Sequence, residues 1–144
     1  MAGALKIQNW FQSDVANKQE TILGAKIAWR HISDEKGRGV FALRDIKKGE
    51  VIEVAPVIPM SHDDIPDSGN APDGYVLDWD EDDPEEAHAL VLGYIMLYNH
   101  SKNPNMDFES DLGNYTITAK ASRDIEAGEE LTWNYSCELW FDEA

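Results

Sequence analysis

Eight consecutive residues, Tyr98-Asn99-His100-Ser101-Lys102-Asn103-Pro104-Asn105, constrain this chain more than any other stretch. Three of the eight side chains are carboxamides. Such a segment has few ways to continue a helix or a sheet, and many ways to bond a ligand through amide and imidazole groups. Two other segments accompany it. Gly128-Glu129-Glu130-Leu131-Thr132-Trp133-Asn134-Tyr135 is a turn feeding a short strand that ends on a tyrosine, and Gly37-Arg38-Gly39-Val40-Phe41 lies near the front. Taken singly, each has an ordinary explanation. Gly37 and Gly39 read as turn glycines, and Asn99-His100 reads as the cap of a helix C-terminus, where Asn tolerates the left-handed conformation and His suits the dipole.

The rest of the pattern is β-type. From Lys26 the chain breaks into short segments separated by turn signals: Lys26 to Ile32, Val40 to Leu43, and Glu50 to Ile58, rich in β-branched residues. Pro56 and Pro59 suggest that the third of these ends at, or lies on, a sheet edge. Residues 59–74 read as loop, and Tyr75 to Trp79 as a short strand. Asp83 suits an N-cap and Pro84 the first helical position, so the apolar run Ala87 to Tyr98 reads as the main helix. Met106 to Glu109 and Tyr115 to Ala121 form a hairpin closed over 111–114. A last turn leads into Leu131 to Tyr135. No internal repeat stands out.

With 144 residues, 42% of them hydrophobic, the chain has the material for one moderate core. No apolar run nears the roughly 20 residues of a membrane span, and no secretory signal is read at the front. An intracellular protein is expected, cytoplasmic, or nuclear in a eukaryotic source. The single cysteine, Cys137, excludes an internal disulfide and a cysteine-built zinc site, and His31, His62 and His88 show no ligand spacing, so no metal is expected. The net charge of −16 argues against direct nucleic-acid binding and suits a cationic partner such as a Lys-rich tail. It also fits a chain that is merely kept soluble by its charge. The acidic run from Asp78 to Glu86 is a solvated face that also suits guidance of such a partner.

The ordered set of motifs resembles the SET-domain protein lysine methyltransferases, of the compact single-domain kind found in bacteria and large viruses. The matching segments are Gly37-Arg38-Gly39-Val40-Phe41-Ala42, Leu92-Gly93-Tyr94 leading to Tyr98-Asn99-His100-Ser101, Pro104-Asn105, and Gly128 to Tyr135. The likeness covers roughly Lys26 to Tyr135. It implies a mostly β, β-clip fold: small curled sheets, one main helix, and a knot-like crossing of the 99–105 segment with the 130–135 strand. Residues 24–136 would be the catalytic unit, 1–23 an N-terminal arm and 137–144 a tail closing the site.

The resemblance also implies the chemistry, methyl transfer from S-adenosylmethionine to a lysine amine of a basic protein or peptide, histone-like or other. That reaction needs a neutral amine, close approach and little water, and neither metal nor protein nucleophile. By the same resemblance, Gly37, Arg38 and Gly39 bring backbone against the methionine part of the cofactor. Asn99 holds its amino group, His100 meets the adenine through its backbone, and Tyr135 sits by the transferring methyl. Tyr75 is the expected second aromatic of the lysine channel, and Trp140 the expected stacking partner of the adenine. Trp133 faces either the pore or the core. Relatives that close the channel with a cysteine-rich zinc segment differ here, so closure falls to 136–144, to 1–23 or to a second subunit. The alternatives are a catalytically weak acidic module that binds basic tails, and methylation of a non-histone enzyme.

Overall fold

The computed structural model of the protein describes residues 26–65 and 75–136. The expected N-terminal arm, Cys137 and Trp140 lie outside the described residues. Nine strands are formed there: β1 (Ile27–Ser33), β2 (Gly37–Ala42), β3 (Val51–Met60), β4 (Val76–Asp78), β5 (His88–Val91), β6 (Asn99–His100), β7 (Met106–Asp111), β8 (Thr116–Ala121) and β9 (Glu130–Trp133). They make two sheets, ordered β1-β2-β9-β6 and β4-β5-β3-β8-β7. All pairs are antiparallel except β6 with β9.

Strand β8 shows why the second sheet forms. Ile117, Ala119 and Ala121 are buried, while Thr116, Thr118 and Lys120 alternate with them toward solvent, the period of a half-buried strand. Strand β3 differs, because four successive residues, Ile52 to Ala55, are buried, so both of its faces are covered. It is also not an edge strand, despite its prolines. Residues 51–56 pair with β8 and residues 57–60 with β5. Each half therefore has one flank without a ladder, and a proline costs a ladder bond only on a paired flank. The core, with Val40, Ile46, Ile95, Tyr98, Met106, Ile117, Ile125 and Leu131, lies between the sheets and the turns that join them.

The expected helix over Ala87 to Tyr98 does not form. Asp83 does cap a turn, its side chain accepting from the Glu85 N–H at 3.0 Å, but the turn is 3₁₀ and ends at Glu86. His88–Val91 is strand β5, clamped between β3 and β4. A second 3₁₀ turn, Ile95–Leu97, follows. An apolar run with no polar face is compatible with a buried strand as well as a buried helix, and here the sheet supplies the partners. With no helix ending at Tyr98, the cap explanation of Asn99-His100 falls away.

The described chain also contains one short internal repeat, too brief to register as a period. Arg44-Asp45-Ile46 with Gly49-Glu50 matches Arg123-Asp124-Ile125 with Gly128-Glu129. The two turns face each other through an Ile46–Ile125 bridge. Asp124 accepts from the Lys48 N–H and Asp45 from the Ala127 N–H, each at 2.9 Å. Each turn is closed by its own ion pair, Arg44–Glu50 and Arg123–Glu129. The hydrogen bond from Arg44 holds the Glu50 carboxyl at about 2, against an ordinary 4.5. A carboxyl depressed on folding contributes stability above its unfolded value and loses it as pH falls toward the folded one. Thermal stability should therefore decline between about pH 4.5 and pH 2. Glu50→Gln should flatten that decline and cost about 1 kcal/mol at neutral pH, the pair being partly exposed. Melting curves taken across this range check both.

Candidate functional site

Strand β9 lies between β2 and β6, and this insertion brings the three motif segments together. Val40 pairs with Leu131 on one side, and Asn99 pairs with Thr132 on the other. Asn99 therefore reaches across the end of β9 to residues 37–39, which are not a turn but the first residues of β2. Its Nδ2 donates to the Arg38 carbonyl at 3.0 Å and to Glu130 Oε1 at 2.6 Å. With the amide hydrogens taken, its Oδ1 is the atom left to accept from a ligand. The other oxygen of Glu130 holds the Lys36 ammonium at 3.1 Å. A carboxylate, a carboxamide oxygen and a backbone carbonyl thus converge beside one lysine. This set suits a ligand that carries an ammonium and a carboxylate on the same carbon.

The two glycines at the start of β2 serve different ends. Gly37 adopts φ +72°, and a β-carbon there would meet nothing within 4 Å, so it supplies conformation. Close approach is the business of Gly39, where a β-carbon would lie 2.6 Å from Glu130 Oε1 and 3.0 Å from Asn99 Nδ2.

Tyr135, just past β9, is held at both ends. Its N–H donates to His100 Nδ1 at 3.1 Å, and its hydroxyl donates to the Tyr98 carbonyl at 2.9 Å. The His100 ring meets the Tyr135 ring edge-on, with centroids 5.3 Å apart. Trp133 also meets the Tyr135 ring, with centroids 5.1 Å apart, and Phe108 packs on Trp133 at 4.5 Å. Trp133 is therefore part of the aromatic cluster around Tyr135. With Phe108, Met106, Pro104, Asp107, Asn134 and Ser136 it lines a groove of about 270 Å³.

The sequence-based expectations meet this geometry unevenly. Arg38, Gly39 and Asn99 adjoin one another, and His100 and Tyr135 adjoin one another beyond the end of β9. His100 contributes its side chain as well as its backbone. Tyr75 stands apart: it precedes β4 at the edge of the other sheet and is 41% exposed. Among the described residues it has no hydrogen bond or ring contact with Tyr135. Trp140 lies outside the described residues. Glu130 and Phe108 were not singled out from the sequence, although Glu130 belongs to the quoted motif. Asn105, buried at 2% exposure, turns its amide inward rather than to a ligand. Its Nδ2 donates to the Glu130 carbonyl and its Oδ1 accepts from the Thr132 N–H, each at 2.9 Å, so it fastens β9 in place.

Comparison with known proteins identifies the family. A family model for the SET domain matches residues 37–136. The chain is similar to a Schizosaccharomyces pombe histone-lysine N-methyltransferase described as specific for H3 lysine-37, with 33% identity over 113 residues, 77% of this chain and 74% of that protein. It is also similar to the crystal structure of a candidate histone methyltransferase from Plasmodium falciparum, with a TM-score of 0.62, 28% identity, and coverage of 83% of this chain and all of that one. Among the described residues no helix is long and apolar enough to cross a membrane. The chain belongs to the SET-domain family and is a protein-lysine N-methyltransferase that uses S-adenosylmethionine.

Proposed function

We propose that the chain methylates a lysine of a histone tail or of a similarly basic segment. The observation that carries this reading is that β9, inserted between β2 and β6, brings Arg38, Asn99 and Glu130 together as one acceptor set and ends two residues before the tethered Tyr135. The name of the fission-yeast relative supports a histone as substrate, and a net charge of −16 favours approach of any lysine-rich partner. A histone substrate would put its work in the nucleus.

The residues present fit the cofactor. Arg38, Asn99 and Glu130 would accept from its amino group, Lys36 would neutralise its carboxylate, and the His100 backbone would meet its adenine, with Trp140 stacking on that ring. When bound, S-adenosylmethionine supplies a methyl group made electrophilic by its sulfonium. Tyr135 donates its own proton to the Tyr98 carbonyl, which orients its hydroxyl oxygen as an acceptor toward polarised C–H groups. Trp133, Phe108 and the Tyr135 ring exclude water, which lowers the pKa of a lysine amine by desolvation. That effect opposes the acidic surface, which attracts lysine but keeps it protonated. Tyr75 is proposed as a further wall of the lysine channel, and residues 137–144 as its cover. The 101–105 loop wrapped over β9 is read as the knot-like crossing. Residues 24–136 are read as the catalytic unit behind an arm of 1–23.

Calorimetric titration with S-adenosylmethionine, followed by mass spectrometry of histones H3 and H4 incubated with labelled cofactor, tests the reading. Methyl label on a mapped lysine is expected. Cofactor binding with no transfer to any basic protein would favour an acidic binding module instead. Glu130→Ala should weaken cofactor binding by about tenfold, because a charge-assisted contact and the anchor of the Asn99 amide are lost together. Unchanged affinity in the same titration would remove Glu130 from the site.

A further inference from the structure

Glu53 is a charged residue in the core, 2% exposed, on a strand that bears no proposed site residue. Its Oε1 accepts from the Tyr94 N–H and its Oε2 from the Tyr98 hydroxyl, each at 2.7 Å. Those two residues begin and follow the Ile95–Leu97 turn, so one carboxylate grips both ends of a five-residue segment. Gly93, at φ +115°, lies so close that a β-carbon there would sit 2.2 Å from Glu53 Oε1. Burial raises the Glu53 pKa against the opposing pull of its two hydrogen bonds, so the carboxylate is held at some cost. An apolar residue of similar volume would fill the space without that cost, but would grip neither end of the turn.

What the turn delivers is the site. The Tyr98 carbonyl accepts the Tyr135 hydroxyl, and the next residue is Asn99. We propose that Glu53 is a positioning residue for methyl transfer: by clamping Tyr94 and Tyr98 it fixes the carbonyl that aims the Tyr135 hydroxyl. The path runs from the Glu53 carboxylate through the Tyr98 side chain and backbone to the Tyr135 oxygen. The inference rests on reading Tyr135 as the residue at the reacting centre, and its test separates the two.

Single-turnover transfer from labelled S-adenosylmethionine to a histone-tail peptide is measured for Glu53→Gln and Tyr98→Phe, each in the parent and in Tyr135→Phe. Each is expected to slow the parent about tenfold and the Tyr135→Phe protein less than about twofold, since a group acting through Tyr135 has nothing left to act on. Equal fold-losses in both backgrounds, or none in the parent, would overturn the proposal. Tyrosine labelled with ¹³C at Cζ gives a second readout that needs no activity. The Tyr135 resonance, assigned by its loss in Tyr135→Phe, should shift in Glu53→Gln and in Tyr98→Phe at temperatures where both remain folded. A stationary resonance would refute the clamp whatever the kinetics. If Tyr135→Phe transfers methyl at the parent rate, the role of Tyr135 fails, and the resonance still decides whether Glu53 aims its hydroxyl. Tyr98→Phe removes a single oxygen and carries the test should Glu53→Gln not fold.

Discussion

Tyr135→Phe is expected to slow methyl transfer by at least about a hundredfold, the scale on which a single preorganised polar contact at a reacting centre acts. The substitution leaves the ring, and with it the edge contact to His100 and the packing on Trp133. The backbone bond from residue 135 to His100 Nδ1 also survives. Only the oxygen that is tethered to the Tyr98 carbonyl goes. Cofactor affinity should stay within about twofold, because the acceptor set of Arg38, Asn99 and Glu130 does not involve that oxygen. Single-turnover rates set against calorimetric affinities separate the two effects, and full turnover in the variant would show that the hydroxyl has no part in the reaction.

The largest loss of stability is expected from Gly93→Ala. Two penalties coincide there. An L-residue at φ +115° is strained by roughly 1–3 kcal/mol. The new β-carbon would also overlap the Glu53 carboxylate at 2.2 Å, and that carboxylate is itself fixed by two hydrogen bonds. Together these should cost at least about 3 kcal/mol, a large share of the ~5–15 kcal/mol that holds a domain folded. Gly49→Ala is the natural contrast. Its φ is +82°, but a β-carbon there would meet nothing within 4 Å, so about 1 kcal/mol of strain is all it should show. Denaturant titration of the two variants tests the difference. Similar losses would mean that Gly93 is needed for its backbone angle alone.

Much of the site could be read from the residues because its chemistry is local. The Gly37-Arg38-Gly39 start of β2, the Asn99-His100 pair and the Glu130-to-Tyr135 segment are short contiguous words, and strand pairing merely lays them side by side. What escaped was set by long-range packing. Ala89 to Val91 carries no polar face, so nothing in the run distinguishes a buried helix from a buried strand, and the neighbours β3 and β4 decided it. Glu53 sits among Val51, Ile52 and Val54, where alternation would send it to solvent. Only the covering of both faces of β3 turns it into a core residue. Asn105 escaped for the opposite reason, because its buried amide satisfies backbone groups of β9 that are 25 and 27 residues away. Glu130 lies inside the quoted motif, but only its bond to Asn99, formed by strand pairing, sets it apart as a site residue.

The position of β9 has a consequence for how the protein reaches its native state. The strand that unites the site is inserted between β2 and β6, and its pairing with β2 closes a loop of about ninety residues. Non-local pairing of this kind is slow to form, since the entropy of closure is spent before the contacts repay it. The hairpins β1–β2 and β7–β8 join neighbours in sequence and can assemble early. The cofactor pocket has no such shortcut: it comes into being only when the last described strand threads home, so catalytic competence and completion of folding should arrive in the same kinetic step.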